Sequence, residues 1–120
     1  MGIRPACPYN MVTLTALYKK PDDSAAFDEH YENIHTPLIK KVPGLRKMQI
    51  TRFSKMLTPG NATLSDQPYL ECIMYFDTMD SFKVAMASEE NKDAGKDLMS
   101  FAGPLVSMCI GTTEDIEVNS

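Results

Sequence analysis

The run Tyr69–Asp77 (YLECIMYFD) restricts the fold more than any other part of the sequence. Its two alternating sets, Leu70, Cys72, Met74 and Phe76 against Tyr69, Glu71, Ile73 and Tyr75, are both largely apolar. A strand with one face in water alternates apolar with charged residues, and this one does not. Met11–Lys19 behaves the same way, with Val12, Leu14, Ala16 and Tyr18 opposing Met11, Thr13, Thr15 and Leu17. So does Leu105–Gly111, where Val106, Met108 and Ile110 oppose Leu105, Ser107 and Cys109. These runs are short and rich in β-branched and aromatic residues, which makes them strands with two faces to bury.

Between the strands lie helical patterns. Pro21-Asp22-Asp23-Ser24 offers an N-terminal cap, and Phe27, Tyr31, Ile34 and Leu38 follow at helical spacing. Pro37 has no amide hydrogen and restricts Thr36, so the helix is expected to end or bend near His35. Pro43-Gly44 marks a turn before a strand over Leu45–Lys55, and Met56–Pro68 is a long polar connection. Thr78-Met79-Asp80-Ser81 opens a helix carrying Phe82, Ala85 and Met86, and Glu89–Phe101 forms a further helical piece that Gly103-Pro104 stops. The order is β-α-β-β-α-β. Two right-handed crossovers turn it into an α+β, ferredoxin-like domain, a four-stranded antiparallel sheet with helices on one face.

Helices of the same chain cover one face of such a sheet. The second, semi-apolar face needs a partner, and a copy of itself across a two-fold axis is the simplest one. A homodimer with its sheets face to face is therefore expected. The 120 residues make one domain, read as residues 11–114, with an irregular leader over 1–10 and a loose acidic tail over 115–120. The net charge of −4 and the scattered basic pairs argue against nucleic acid, and no run is long enough to cross a bilayer. Three cysteines without a CxxC read as structural thiols, and the protein as cytoplasmic.

With those elements in place, the chain resembles the EthD family of dimeric α/β-barrel proteins. The resemblance rests on MVTLTALYKKPDD, FDEHYENIHTPL, VPGLRKMQITR, YLECIMYFDTMDSF and GKDLMSFAGPLVSMCIG. The most specific block is Phe27-x-x-His30-Tyr31-x-x-x-His35-x-Pro37-Leu38. The resemblance implies a homodimer of ferredoxin-like protomers, each with a ligand cleft between helices and sheet, and a link to the oxidative breakdown of fuel ethers. Related barrels include cofactor-free monooxygenases, cyclases, dehydratases and lactone isomerases. The pattern departs at Ile73, where many members carry an acid; Glu71 is the nearest one here.

Chemistry near neutral pH points first to histidine. On a straight α-helix His30 and His35 stand about 140° apart, so they would not share a metal, and no dedicated metal site is expected. His35 is the candidate acid/base, with Tyr31 beside it in the catalytic pair and the Tyr75 hydroxyl as a further partner. The helix's negative end would favour its charged form and burial the neutral one, so the sign of its shift stays open. The alternative is that His35 only caps the helix. The pocket is expected to involve His30, Ile34, Leu38, Tyr75 and Phe101. Met48, Met74, Met86, Met99 and Met108 read as gap-filling core residues or as a pliable pocket wall. No phosphate-binding glycine pattern is present, so no cofactor is expected. The leading reading is a cofactor-independent enzyme acting on a small apolar molecule in oxidative catabolism. The alternatives are a His-based cyclase, dehydratase or isomerase, and a non-catalytic carrier or accessory to a redox system.

Overall fold

The computed structural model describes residues 11–58, 60, 63 and 66–119; the expected leader over 1–10 lies outside them. Strand β1 (Met11–Lys19) leads through Pro21 into helix α1 (Ser24–His30), a π-helical turn (Tyr31–His35) and helix α2 (Thr36–Ile39). Strands β2 (Lys47–Arg52) and β3 (Pro68–Phe76) follow, then α3 (Met79–Met86), α4 (Glu89–Ala102) and β4 (Val106–Thr113). The sheet runs β2-β3-β1-β4 with every neighbouring pair antiparallel, which is the ferredoxin-like order expected from the sequence.

Local chemistry sets the element ends. Asp23 caps α1, its carboxylate accepting from the Ala26 N–H at 3.1 Å. Thr78 and Ser81 form a reciprocal capping box on α3, and Ser88 accepts from the Asn91 N–H at the start of α4. Gly44 turns the chain into β2 at φ +81°, a conformation that residues with a Cβ avoid. Residues 114–119 carry no regular secondary structure.

Register assigns the faces. Val12, Leu14, Ala16 and Tyr18 of β1 and Leu70, Cys72, Met74 and Phe76 of β3 are all buried and lie on the helix side. Phe27, Tyr31, Ile39, Phe82, Ala85, Ala94 and Leu98 close that core from above. The opposite face carries Thr13, Thr15, Leu17, Glu71, Ile73, Tyr75 and Cys109, and no helix among the described residues lies over it. At the β2 end, Arg52 reaches Glu32 at 3.1 Å and Asp28 at 3.5 Å, and the Tyr69 hydroxyl donates to Asp28 at 2.9 Å. These contacts tie α1 to the sheet edge.

The helix does not stop near His35. It runs through Pro37 to Ile39, and the π-turn explains how. The Thr36 N–H bonds to the Tyr31 carbonyl, five residues back, so the ladder is already loosened where Pro37 has no N–H to give. One consequence is rotational. A π-turn is wider than an α-turn, so a buried stripe passing through it drifts toward later residues. The expected stripe Phe27–Tyr31–Ile34–Leu38 becomes Phe27–Tyr31–His35–Ile39, all buried. Ile34 turns out to 48% exposure, and Leu38 is only partly buried.

Candidate functional site

That rotation builds the site. Five residues make roughly one turn of a π-helix, so His30 and His35 come round to the same side, against the α-helical expectation of opposite flanks. Both meet one carboxylate. His30 Nε2 lies 2.8 Å from Asp97 Oδ1, and His35 Nδ1 lies 3.0 Å from Asp97 Oδ2. An ionised carboxylate only accepts, so each ring donates its N–H to it. For a neutral His35 this fixes the proton on Nδ1 and leaves Nε2 as a lone pair. Among the described residues Nε2 has no hydrogen-bond partner.

His35 is 3% exposed and lines a cavity of about 390 Å³. The floor is Leu14, Ala16, Tyr18, Cys72 and Met74 from the sheet, and the walls are Ile39, Val42, Phe82, Met86, Asn91, Ala94, Leu98 and Met99. Met108 and Ile110 of edge strand β4, both half in solvent, stand at its rim. The surface is overwhelmingly apolar, which is the usual make-up of a small-molecule site with a few placed polar groups. The methionines Met74, Met86, Met99 and Met108 belong to this wall, so the pocket reading of those residues describes their place. Met48 lies away from it and packs on the core.

Burial pushes the His35 pKa below 6.5; the hydrogen bond and charge of Asp97 pull upward, and His30 adds a smaller downward push. Desolvation wins, so His35 is neutral at pH 7. The direction left open by the sequence is downward, with burial as its largest cause. Burial also pushes the Cys72 thiol up to about 11, and both the Tyr18 and Tyr31 hydroxyls well above the usual phenol range. These three groups stay protonated and uncharged.

The other expected site residues are placed as follows. Tyr31 is fully buried and does not line this cavity; it borders a separate recess with Glu32, Thr36, Ile50 and Arg52, with Tyr18 and Cys72 nearby and no hydrogen-bond partner for its hydroxyl among the described residues. Tyr75 does not approach His35. It pairs with Thr13 and Lys47 in the ladders, faces away from the helices and bonds Gln49. The strand alternation already placed it opposite Met74 and Phe76, so its inclusion in the pocket is corrected by register. Ile34 and Leu38 are rotated off the cavity by the π-turn. Phe101 stacks on His30 at 4.3 Å between centroids and packs on His35 at 5.2 Å, forming a collar around the polar pair. His30 and Phe101 line a separate, more open recess with Asp22, Asp23 and Pro104.

Asp97 was missed. It lies 62 residues after His35, one turn before Phe101 and beside Leu98, both of which the sequence marked as inward. A carboxylate flanking an apolar stripe was the available signal. Glu71 does not take this role, because it points to the open face. Among the described residues no group of three or more His, Cys, Asp or Glu is arranged to hold a metal ion.

Comparison with known proteins shows the family and the fold. The EthD domain family matches residues 19–104. A crystal structure of an EthD family protein from Bacillus halodurans is 46% identical, covers 88% of this chain and 99% of its own, and superposes with a TM-score of 0.74. An uncharacterised 11.0 kDa protein from the thcB–thcC intergenic region of Rhodococcus erythropolis is 30% identical over 88% of this chain and 98% of its own length. More distant folds include a dimeric ferredoxin-like protein of unknown function from Thermobifida fusca, at 11% identity and TM-score 0.59 over 90% of this chain and 93% of that one. Another is SnoaB, a cofactor-independent oxygenase from Streptomyces nogalater, at 16% identity and TM-score 0.55 over 91% of this chain and 96% of that one. By family match and by identity over nearly its whole length, this chain belongs to the EthD family.

Proposed function

We propose that the protein is a small cofactor-independent enzyme that takes a proton from an apolar organic molecule held in the cavity. His35 Nε2 is the base, and Asp97 fixes its tautomer and stabilises the imidazolium that forms. The carrying observation is a buried histidine that lines an apolar cavity while its Nδ1 is held at 3.0 Å by a carboxylate. Once the substrate is deprotonated, two outcomes are open to it. Its electrons can reduce molecular oxygen, which suits a role in oxidative, ether-degrading catabolism. The same proton can instead return at another atom, which is isomerisation. SnoaB, a cofactor-independent oxygenase of the same fold, supports the first. The neutral Tyr18 hydroxyl, on a residue that lines the cavity, serves as a donor and not as a base, and Tyr31 lies outside the lining.

The functional unit in this reading is a homodimer formed through the open sheet face, where Leu17, Ile73 and Tyr75 have no cover from their own helices. The dimeric Thermobifida fold supports this. Among the described residues no helix is long and apolar enough to cross a membrane, and free thiols at Cys72 and Cys109 suit the cytoplasm.

The test is turnover of a panel of phenols, aromatic ketones and alkyl aryl ethers, with and without oxygen, by wild type and His35→Gln. Loss of a general base predicts a fall of about 10²–10⁴-fold in the variant, with ligand affinity retained. Full activity in His35→Gln would sink the assignment. Retained binding with no turnover in either protein would favour a carrier.

A further inference from the structure

The second histidine has no place in the proton transfer just described, yet it makes the shorter of the two bonds to Asp97, at 2.8 Å. Asp97 sits on α4, and among the described residues its side chain has no hydrogen-bond or ion-pair partner other than the two histidines. A carboxylate held by a single bond to His35 could rotate about its terminal torsion, which is broad and weakly restrained. It could then turn one oxygen to water, since its side chain is 14% exposed. His30 prevents this. Its ring is itself fixed, stacked on Phe101 at an interplanar angle of 29°, so its N–H points at Oδ1 from a rigid mount.

We infer that His30 is a positioning residue: by holding Asp97 Oδ1 it aims Oδ2 at His35 Nδ1 and so selects the Nδ1–H tautomer of the buried base. The π-turn is what makes this possible, because only that local unwinding brings residues 30 and 35 onto one carboxylate. Outer partners of this kind commonly set the tautomer of a functional histidine. Asp97 is therefore pinned at both oxygens. The Nε2 lone pair stays available to the cavity without depending on anything bound there.

The inference deepens the proposed role of His35 but is tested without substrate. The amide nitrogen of Gln reproduces the reach of histidine Nε2, whereas that of Asn falls short of Asp97. Nitrogen-15 NMR on histidine-labelled protein at pH 7.5 reads the His35 tautomer directly in wild type, H30Q and H30N. His30 is a quarter exposed, so both polar replacements suit the site. In H30N the ratio of Nδ1–H to Nε2–H should fall roughly tenfold, the lower end of what an outer-shell partner is worth. In H30Q it should stay within about twofold of wild type. An unchanged ratio in H30N, or an equal loss in H30Q, overturns the inference. Because the readout is the resting tautomer, its failure leaves the catalytic role of His35 standing. Failure of catalysis likewise leaves this result standing.

Discussion

Removing the Asp97 carboxylate exposes the most consequential bond in the molecule, and two substitutions separate its parts. In Asp97→Ala both histidines lose their acceptor. His35 is 3% exposed, so its Nδ1–H is left buried and unpaired, at a cost of about 1–3 kcal/mol. His30 is partly exposed and can turn its N–H to water, adding little. The expected loss is about 1–3 kcal/mol, or a fall in Tm of about 4–12 °C for a domain of this size. In Asp97→Asn the amide oxygen can accept from His30 while the amide N–H donates to Nδ1 of His35 in its other tautomer. The new amide, His30 and His35 Nδ1 are then paired and only the Nε2–H is left to the cavity, so the cost should stay below that of Asp97→Ala, at about 1 kcal/mol. The base, however, now carries its proton on Nε2, facing the cavity, so proton abstraction fails although the protein folds. Urea unfolding at pH 7.5 and one fixed protein concentration measures the two losses, the fixed concentration being needed because association adds to apparent stability. A loss below about 0.5 kcal/mol in Asp97→Ala, or an equal loss in both variants, would refute the reasoning.

Other perturbations follow from the same geometry. Because the folded pKa of His35 lies below 6.5, the unfolded chain binds the proton first as pH falls, so the contribution of this group is complete above pH 6.5 and is lost on descending through 6.5 toward the folded value. Replacing His35 with Gln should flatten that part of a stability profile measured by urea midpoints between pH 5 and 7.5, and an unaltered profile would contradict the shift. Ala94→Leu adds three carbons to the cavity wall and should weaken binding of 2-naphthol, followed by fluorescence, at least tenfold while leaving Tm within about 3 °C. Equal affinity would place the ligand elsewhere. Ile73→Asp sets a charge on the open sheet face and should convert the proposed dimer to monomer at micromolar concentration in sedimentation velocity, since a buried unpaired carboxylate costs far more than one apolar contact supplies. A variant that sediments as wild type would move the interface to another surface.

How much of this was legible in the sequence depends on the range of the interaction. The four strands, their antiparallel ferredoxin-like order and the caps at Asp23 and Thr78 follow from alternation and turn chemistry, which act over a few residues. His35 was legible as the base candidate. Its surroundings were not, for two physical reasons. The sequence projects the stripe at α-helical spacing and reads Pro37 as ending or bending the helix near His35. The chain answers it with a π-turn that carries the helix on, turning His35 and Ile39 inward and Ile34 and Leu38 outward. The acid that completes the pair is 62 residues away, on a helix whose inward stripe was visible but whose flanking carboxylate carried no local mark. Tyr75 is a different kind of miss. The alternation of β3 already set it on the face away from the helices, and the ladder register repeats that placement.

Proton abstraction in the cavity depends on the state of one ring, and nitrogen-15 NMR of His35 between pH 4.5 and 8, with and without 2-naphthol, measures it directly. The predicted spectrum at pH 7 shows neutral imidazole with the proton on Nδ1, a titration midpoint below 6.5, and an Nε2 resonance that moves when the probe binds. An imidazolium at pH 7, a midpoint above 6.5, or an Nε2 signal indifferent to the probe would contradict the claim that His35 is the base of an apolar reaction cavity.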